Sequence, residues 1–132
     1  MGIQLLKKHI NNTSVMVYHG TTSLFDGIDV AKGKPYKDFG KGFYVTLTYA
    51  HAESLARRNK RLELERYERR CDAYVYTYEM NLASFADFNV KEFTQADLEW
   101  MRFVLANRRS RERAHHYDII VGPTAKMIHQ LY

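Results

Sequence analysis

The sequence predicts an α+β fold, because runs rich in β-branched and aromatic residues alternate with two stretches whose apolar residues recur at helical spacing. With 132 residues, 45% of them apolar, the chain is expected to form one domain, 1–132, with a core of its own.

Ser14 to His19, SVMVYH, reads as the first core strand, stopped by Gly20 and the polar TTS that follows. The next stretch, LFDGIDVAKGKPYKD, holds two of the seven glycines and one of the two prolines, so it is expected to be mostly loop. Phe43 to Leu47 reads as a short apolar strand. Thr48 is placed to cap a helix from Tyr49 to about Arg69, with Ala52, Leu55, Ala56 and Leu62 on its inner face. Glu53 with Arg57, and Glu65 with Arg69, stand four apart on its outer face. Asp72 to Leu82, DAYVYTYEMNL, alternates aromatic and β-branched residues with polar ones and predicts a strand. Thr94-Gln95-Ala96-Asp97 has the form of a capping box that opens a second helix, with Leu98, Met101, Val104 and Leu105 on one face. Arg108, Arg109, Arg111 and Arg113 crowd its end, where cations suit the helix dipole. Tyr117 to Pro123, YDIIVGP, reads as a buried strand with a Gly-Pro stop.

Twenty Lys and Arg against fifteen Asp and Glu leave a net charge of +5, which suits an acidic or polyanionic partner. Cys71 is the single cysteine, so neither an internal disulfide nor a cysteine zinc framework is available. No stretch matches a signal peptide or a membrane span, and a soluble, cytoplasmic protein is expected. Met1-Gly2 opens like a myristoylation signal, but Leu6 stands where Ser or Thr is required.

The stretch KDFGKGFYVT, Lys37 to Thr46, carries the main question about chemistry. It is no Walker loop, since one residue rather than four separates Gly40 from Gly42. It is no dinucleotide fingerprint either, since Phe43-Tyr44-Val45 continues as a strand where a third glycine and a helix are needed. The two glycines either ease a turn or let something approach the backbone. His115 and His116 precede Asp118, but adjacent side chains on an extended segment point apart, so no metal site is expected. The basic NRRSRERAHH lacks interleaved aromatic platforms and reads first as a solvated helix end, with nucleic-acid contact as the alternative. His19, by itself, reads as a hydrogen-bonded strand histidine.

YHGT at Tyr18 to Thr21 followed by FGKGFYVT at Phe39 to Thr46 resembles two signature elements of the ADP-ribosyltransferase superfamily, in its histidine-tyrosine (diphtheria-toxin/PARP-like) branch. With FVLANRR and YDIIVGPTA added, the chain from Val17 to Ala125 resembles a bacterial family of small uncharacterised ADP-ribosyltransferase-like domains, DUF3990-like. The resemblance implies a split antiparallel β-sandwich with flanking helices that holds NAD as co-substrate. It implies His19 on the nicotinamide-side ribose hydroxyl, Tyr44 stacked on the nicotinamide and the Gly20 backbone on the carboxamide. Thr21, Gly40, Gly42 and Phe43 would complete the cofactor-binding set, and Asn107 and Arg108 join it because the family shares them.

Two departures temper the implied picture. The family's third catalytic group lies in elements beyond YDIIVGPTA, whereas this sequence stops seven residues later at KMIHQLY, so a C-terminally shortened fold is expected. Asp118 and Gln130 are the nearest substitutes, and neither is assigned. Leu55 stands near where relatives carry a second aromatic over the nicotinamide ring, which implies weaker NAD binding. The implied activity is mono-ADP-ribosyl transfer to a protein or nucleic-acid acceptor, as the toxin of a bacterial toxin-antitoxin pair with an acidic antitoxin. The alternatives are a catalytically inactive NAD- or ADP-ribose-binding module on the same fold, and an RNA-binding protein.

Overall fold

The computed structural model describes residues 10–11, 13–29, 32–34, 36–112 and 114–124. Helices and strands are mixed, with two small sheets, as an α+β fold requires. The chain divides into two compact units: one takes described residues of His9–Ile28 and Tyr44–Leu82, the other those of Asp29–Phe43 and Ala83–Tyr132.

In the first unit, β1 (Ile10–Asn11), β2 (Ser14–Thr21) and β3 (Tyr74–Asn81) form an antiparallel sheet in the order β1-β2-β3. Val15 and Val17 alternate with Met16 along β2 and are 1% and 4% exposed, while Met16 faces outward. Burying each valine contributes roughly 1.5–3 kcal/mol. Helix α1 (Tyr49–Tyr67) packs on the sheet through fully buried Ala52 and Ala56. Thr48 caps it as expected, its Oγ1 accepting from the His51 amide at 3.3 Å. The helix ends at Glu68, which takes the left-handed conformation (φ 53°) and donates its amide to the Leu64 carbonyl, while the Arg69 amide donates to the Glu63 carbonyl, each at 3.1 Å. Arg69 therefore lies beyond the helix and pairs with Glu63 at 3.6 Å rather than with Glu65, which faces Arg61 instead. The strand expected over Phe43 to Leu47 reduces to one bridge, in which Tyr18 and Thr46 exchange both backbone hydrogen bonds at 2.9 and 2.8 Å.

In the second unit, β4 (Val90–Glu92) and β5 (Ile119–Val121) pair in parallel, unlike the all-antiparallel arrangement that the resemblance implies. A parallel pair needs a long crossover, and the connection containing α2 (Leu98–Arg108) supplies one. The cap of α2 is Asp97, which accepts from the Trp100 amide at 2.9 Å, and not Thr94. Starting there turns Trp100, Val104 and Asn107 inward and leaves Leu98 and Met101 exposed, so the inner face differs from the expected one. The largest side chain decides this: Trp100 joins Phe93 and Val104 in the core, against Phe39, Phe103 and Ile120, and its Nε1–H donates to the Pro123 carbonyl at 2.8 Å. The strand expected over Tyr117 to Pro123 is only β5 and is half-buried. No helix among the described residues is long and apolar enough to cross a membrane.

Candidate functional site

β2 delivers His19 to a place where three other residues of the same unit converge. Because Tyr18 pairs with Thr46, the segment starting at Tyr44 runs beside β2. His19 Nδ1 sits 2.6 Å from the Tyr44 carbonyl oxygen. A carbonyl only accepts, so Nδ1 carries the proton and donates it to this bond. The Phe25 ring meets His19 edge-on at 5.8 Å between centroids and stacks on Tyr76 at 4.2 Å. Tyr76 is the residue directly opposite His19 in the β2–β3 register.

Gly20 has a purely structural reason to be glycine. A Cβ there would collide with the backbone carbonyl of Ala52 and press on the Ala56 amide at 3.1 Å, so the glycine is what lets α1 lie on β2. Because neighbouring residues of a strand face opposite ways, His19 lies on the sheet face turned away from α1. Thr21 closes β2, its Oγ1 accepting from the Ser23 amide at 3.1 Å.

The other residues of the expected cofactor-binding set belong to the other unit. Gly40 is buried, with φ of 84° and its amide on the Lys37 carbonyl at 3.0 Å, so it turns the chain where other residues would be strained. Gly42 is different: a Cβ there meets nothing within 4 Å. Its backbone instead receives Gly33, whose own Cβ would fall 2.7 Å from the Gly42 nitrogen. Phe43 is half-buried outside any regular element. Arg108 grips Asp38, with Nε and Nη2 at 2.7 and 2.6 Å from the same carboxylate oxygen, and Asp38 is only 6% exposed. Asn107 is 1% exposed; its Nδ2 donates to the Phe103 carbonyl at 2.8 Å and its Oδ1 has no hydrogen-bond partner among the described residues. Lys37 keeps an accessible surface, yet the protein around it and nearby Lys34 lower its pKa, with Asp38 opposing them.

Among the described residues no group of three His, Cys, Asp or Glu is placed to hold a metal. His115 uses both ring nitrogens, Nε2 donating to the Phe39 carbonyl at 2.8 Å and Nδ1 accepting from the Tyr117 amide at 3.0 Å. Asp118 accepts from the Asn89 amide at 2.8 Å where β4 and β5 begin to pair; Gln130 and Arg113 lie outside the described residues. Leu55 is half-buried on α1, and Cys71 is half-buried as a free thiol. An open groove of about 410 Å³ runs beside α1, lined by Tyr49, Glu53, Arg57, Lys60, Asp72 and Tyr74 among others, and neither His19 nor Tyr44 lines it.

The structure thus brings His19, Gly20, Thr21 and Tyr44 into one unit, and adds Phe25 and Tyr76, which sequence reading passed over. The signal for Tyr76 lay in the alternation of YVYTY, which a β2–β3 register would set against His19. Asp38 was passed over because its partner Arg108 lies 70 residues away. No curated protein and no solved structure matches the chain. Residues 15–129 match the model of the family described as Protein of unknown function (DUF3990), and the chain belongs to that family.

Proposed function

We propose that this chain is an NAD-dependent mono-ADP-ribosyltransferase with the split antiparallel β-sandwich of that superfamily, acting as the toxin of a bacterial toxin-antitoxin pair in the cytoplasm. The observation that carries the reading is the His19 to Tyr44 hydrogen bond, which joins the two signature segments at one point and fixes the imidazole Nδ1 there. A ring held there is suited to hydrogen-bond the nicotinamide-side ribose hydroxyl, the task the resemblance gives His19.

NAD would supply a ribose–nicotinamide bond whose cleavage builds positive charge on the sugar. His19 then holds the ribose and Tyr44 covers the nicotinamide, lowering the barrier by orientation. Gly20 contributes backbone only, a role compatible with its packing under α1. Asp118 is engaged with the Asn89 amide, so the group that directs the acceptor is left unassigned. The acceptor is a macromolecule, and an acidic partner protein suits the basic surface of the chain.

The test is NAD titration by calorimetry together with nicotinamide release, for the parent chain, His19→Ala and Tyr44→Ala, with and without bacterial lysate. We expect release from the parent, reduced about 100-fold or more in each variant. Variants that release nicotinamide as fast as the parent would sink the site assignment. Binding with no release by the parent would leave an NAD-binding module, and no binding at all would remove NAD from the account.

A further inference from the structure

We infer that Tyr76 is a positioning residue for His19, acting through Phe25 as a clamp that keeps the imidazole Nδ1 on the Tyr44 carbonyl and walls the space beside it. The inference rests on the reading above in giving His19 a ligand to hold, but the clamp itself is a matter of geometry.

Tyr76 Oη closes on both backbone polar groups of one residue 51 positions away: it accepts from the Phe25 amide at 2.7 Å and donates to the Phe25 carbonyl at 3.0 Å. The two rings lie stacked with 19° between their planes. Phe25 sits in a segment without helix or strand, between the end of β2 at Thr21 and Ile28, so no ladder fixes its place. The Tyr76 hydroxyl and ring do that instead, and the Phe25 and His19 rings then meet at 72°. Tyr78 lies parallel to Tyr76 at 6.2 Å and 9°, backing it from the next position on the same sheet face.

The consequence for His19 is that its ring is bounded on two sides. The Tyr44 carbonyl holds Nδ1, and Phe25 blocks rotation toward the loop. Rotation of the ring would break a 2.6 Å hydrogen bond. A residue whose only duty was to stabilise the fold would not couple to that bond.

The experiment uses the full chain and three variants: Tyr76→Phe, which keeps the ring stack and removes both hydrogen bonds; Phe25→Leu, which removes the wall; and Phe25→Tyr, which keeps it. Imidazole 15N–1H correlation spectra report the His19 tautomer without any ligand, and nicotinamide release from NAD reports KM and kcat. We expect Tyr76→Phe and Phe25→Leu to move the His19 resonances toward a tautomer-averaged imidazole and to raise KM for NAD about tenfold. Phe25→Tyr is expected to match the parent in both readouts. Should Tyr76→Phe fail to fold, Phe25→Leu in the exposed loop decides the question alone. Parent-like tautomer and KM in both damaging variants would overturn the clamp, even if their thermal midpoints fall. A parent chain without NAD turnover would defeat the proposed function and leave the spectra to decide the clamp separately.

Discussion

At Gly20 a methyl group would strike the Ala52 carbonyl, whereas at Gly42 it would project into open space. Gly20→Ala is therefore expected to cost about 1–3 kcal/mol, because α1 must shift off β2, and to lower the thermal midpoint by several degrees. Gly42→Ala is expected to leave stability unchanged or raise it by up to about 1 kcal/mol, since its φ lies outside the left-handed region. NAD titration of the same variant then separates a ligand role from none: weakened binding fits the proposed site, and parent-like binding argues against Gly42 as part of it. At this scale the sequence was only half legible. Both glycines matched the signature, but what presses on Gly20 comes from a helix about thirty residues further along, which the residue string does not display. Arg108 repeats the lesson, since its guanidinium is committed to Asp38 at 2.6 Å, a partner that chain order hides.

β4 and α2 are tied by Lys91 and Glu99, whose Nζ and Oε1 stand 2.9 Å apart, with Glu99 in the first turn where the helix dipole favours an anion. The hydrogen bond to Glu99 raises the Lys91 pKa above its ordinary 10.5. On β3, burial first and then Tyr76 raise the Tyr78 pKa above 10.0. Both shifts have one sign: each group's proton is held more firmly in the folded chain, so the stability it contributes is full below its unfolded pKa and is lost as pH rises through the folded value. We expect the thermal midpoint to fall above about pH 10, and Glu99→Gln to remove part of that dependence. The exposed pair itself contributes on the order of 0.2–1 kcal/mol. An alkaline profile identical in Glu99→Gln would exclude the pair as a cause. Elements fixed by local signals were legible: the Thr48 cap, the body of α1 and the alternation of β3 all lie where the sequence put them. The cap of α2 was misread because two cap-forming residues stand three apart, and the packing of Trp100 chooses between them. β5 was legible in YDIIVGP, whereas β4 is three residues long and pairs with a strand nearly thirty residues further on, so it does not announce itself in the string.

Across the whole molecule, charge is concentrated. Residues 57–70 carry seven Arg and Lys against three Glu, a surplus of four in a chain whose net charge is +5. Arg58, Lys60, Arg66 and Arg70 are exposed there. Replacing these four with Ala is expected to preserve the fold and to advance elution from a heparin column in salt more than replacing Lys32, Lys34, Lys41 and Arg111 does. Equal elution would mean that the charge acts as a total rather than as a face. The α+β class was legible from periodicity, but the division into units was not, because no linker or change in composition marks where the chain crosses between them. The crossings themselves have a consequence for biosynthesis. Residues of the first unit are all made once Leu82 has left the ribosome, while Asp29–Phe43, made early, belong with segments that follow Ala83. At about 5–20 residues per second, a nascent chain holds Asp38 without Arg108 and Phe39 without Phe93 and Phe103 for a few seconds. During that interval a basic segment, with four Lys against two Asp and with Tyr36, Phe39 and Phe43 among its residues, is open to chaperones and proteases, and translation speed sets how long it stays so.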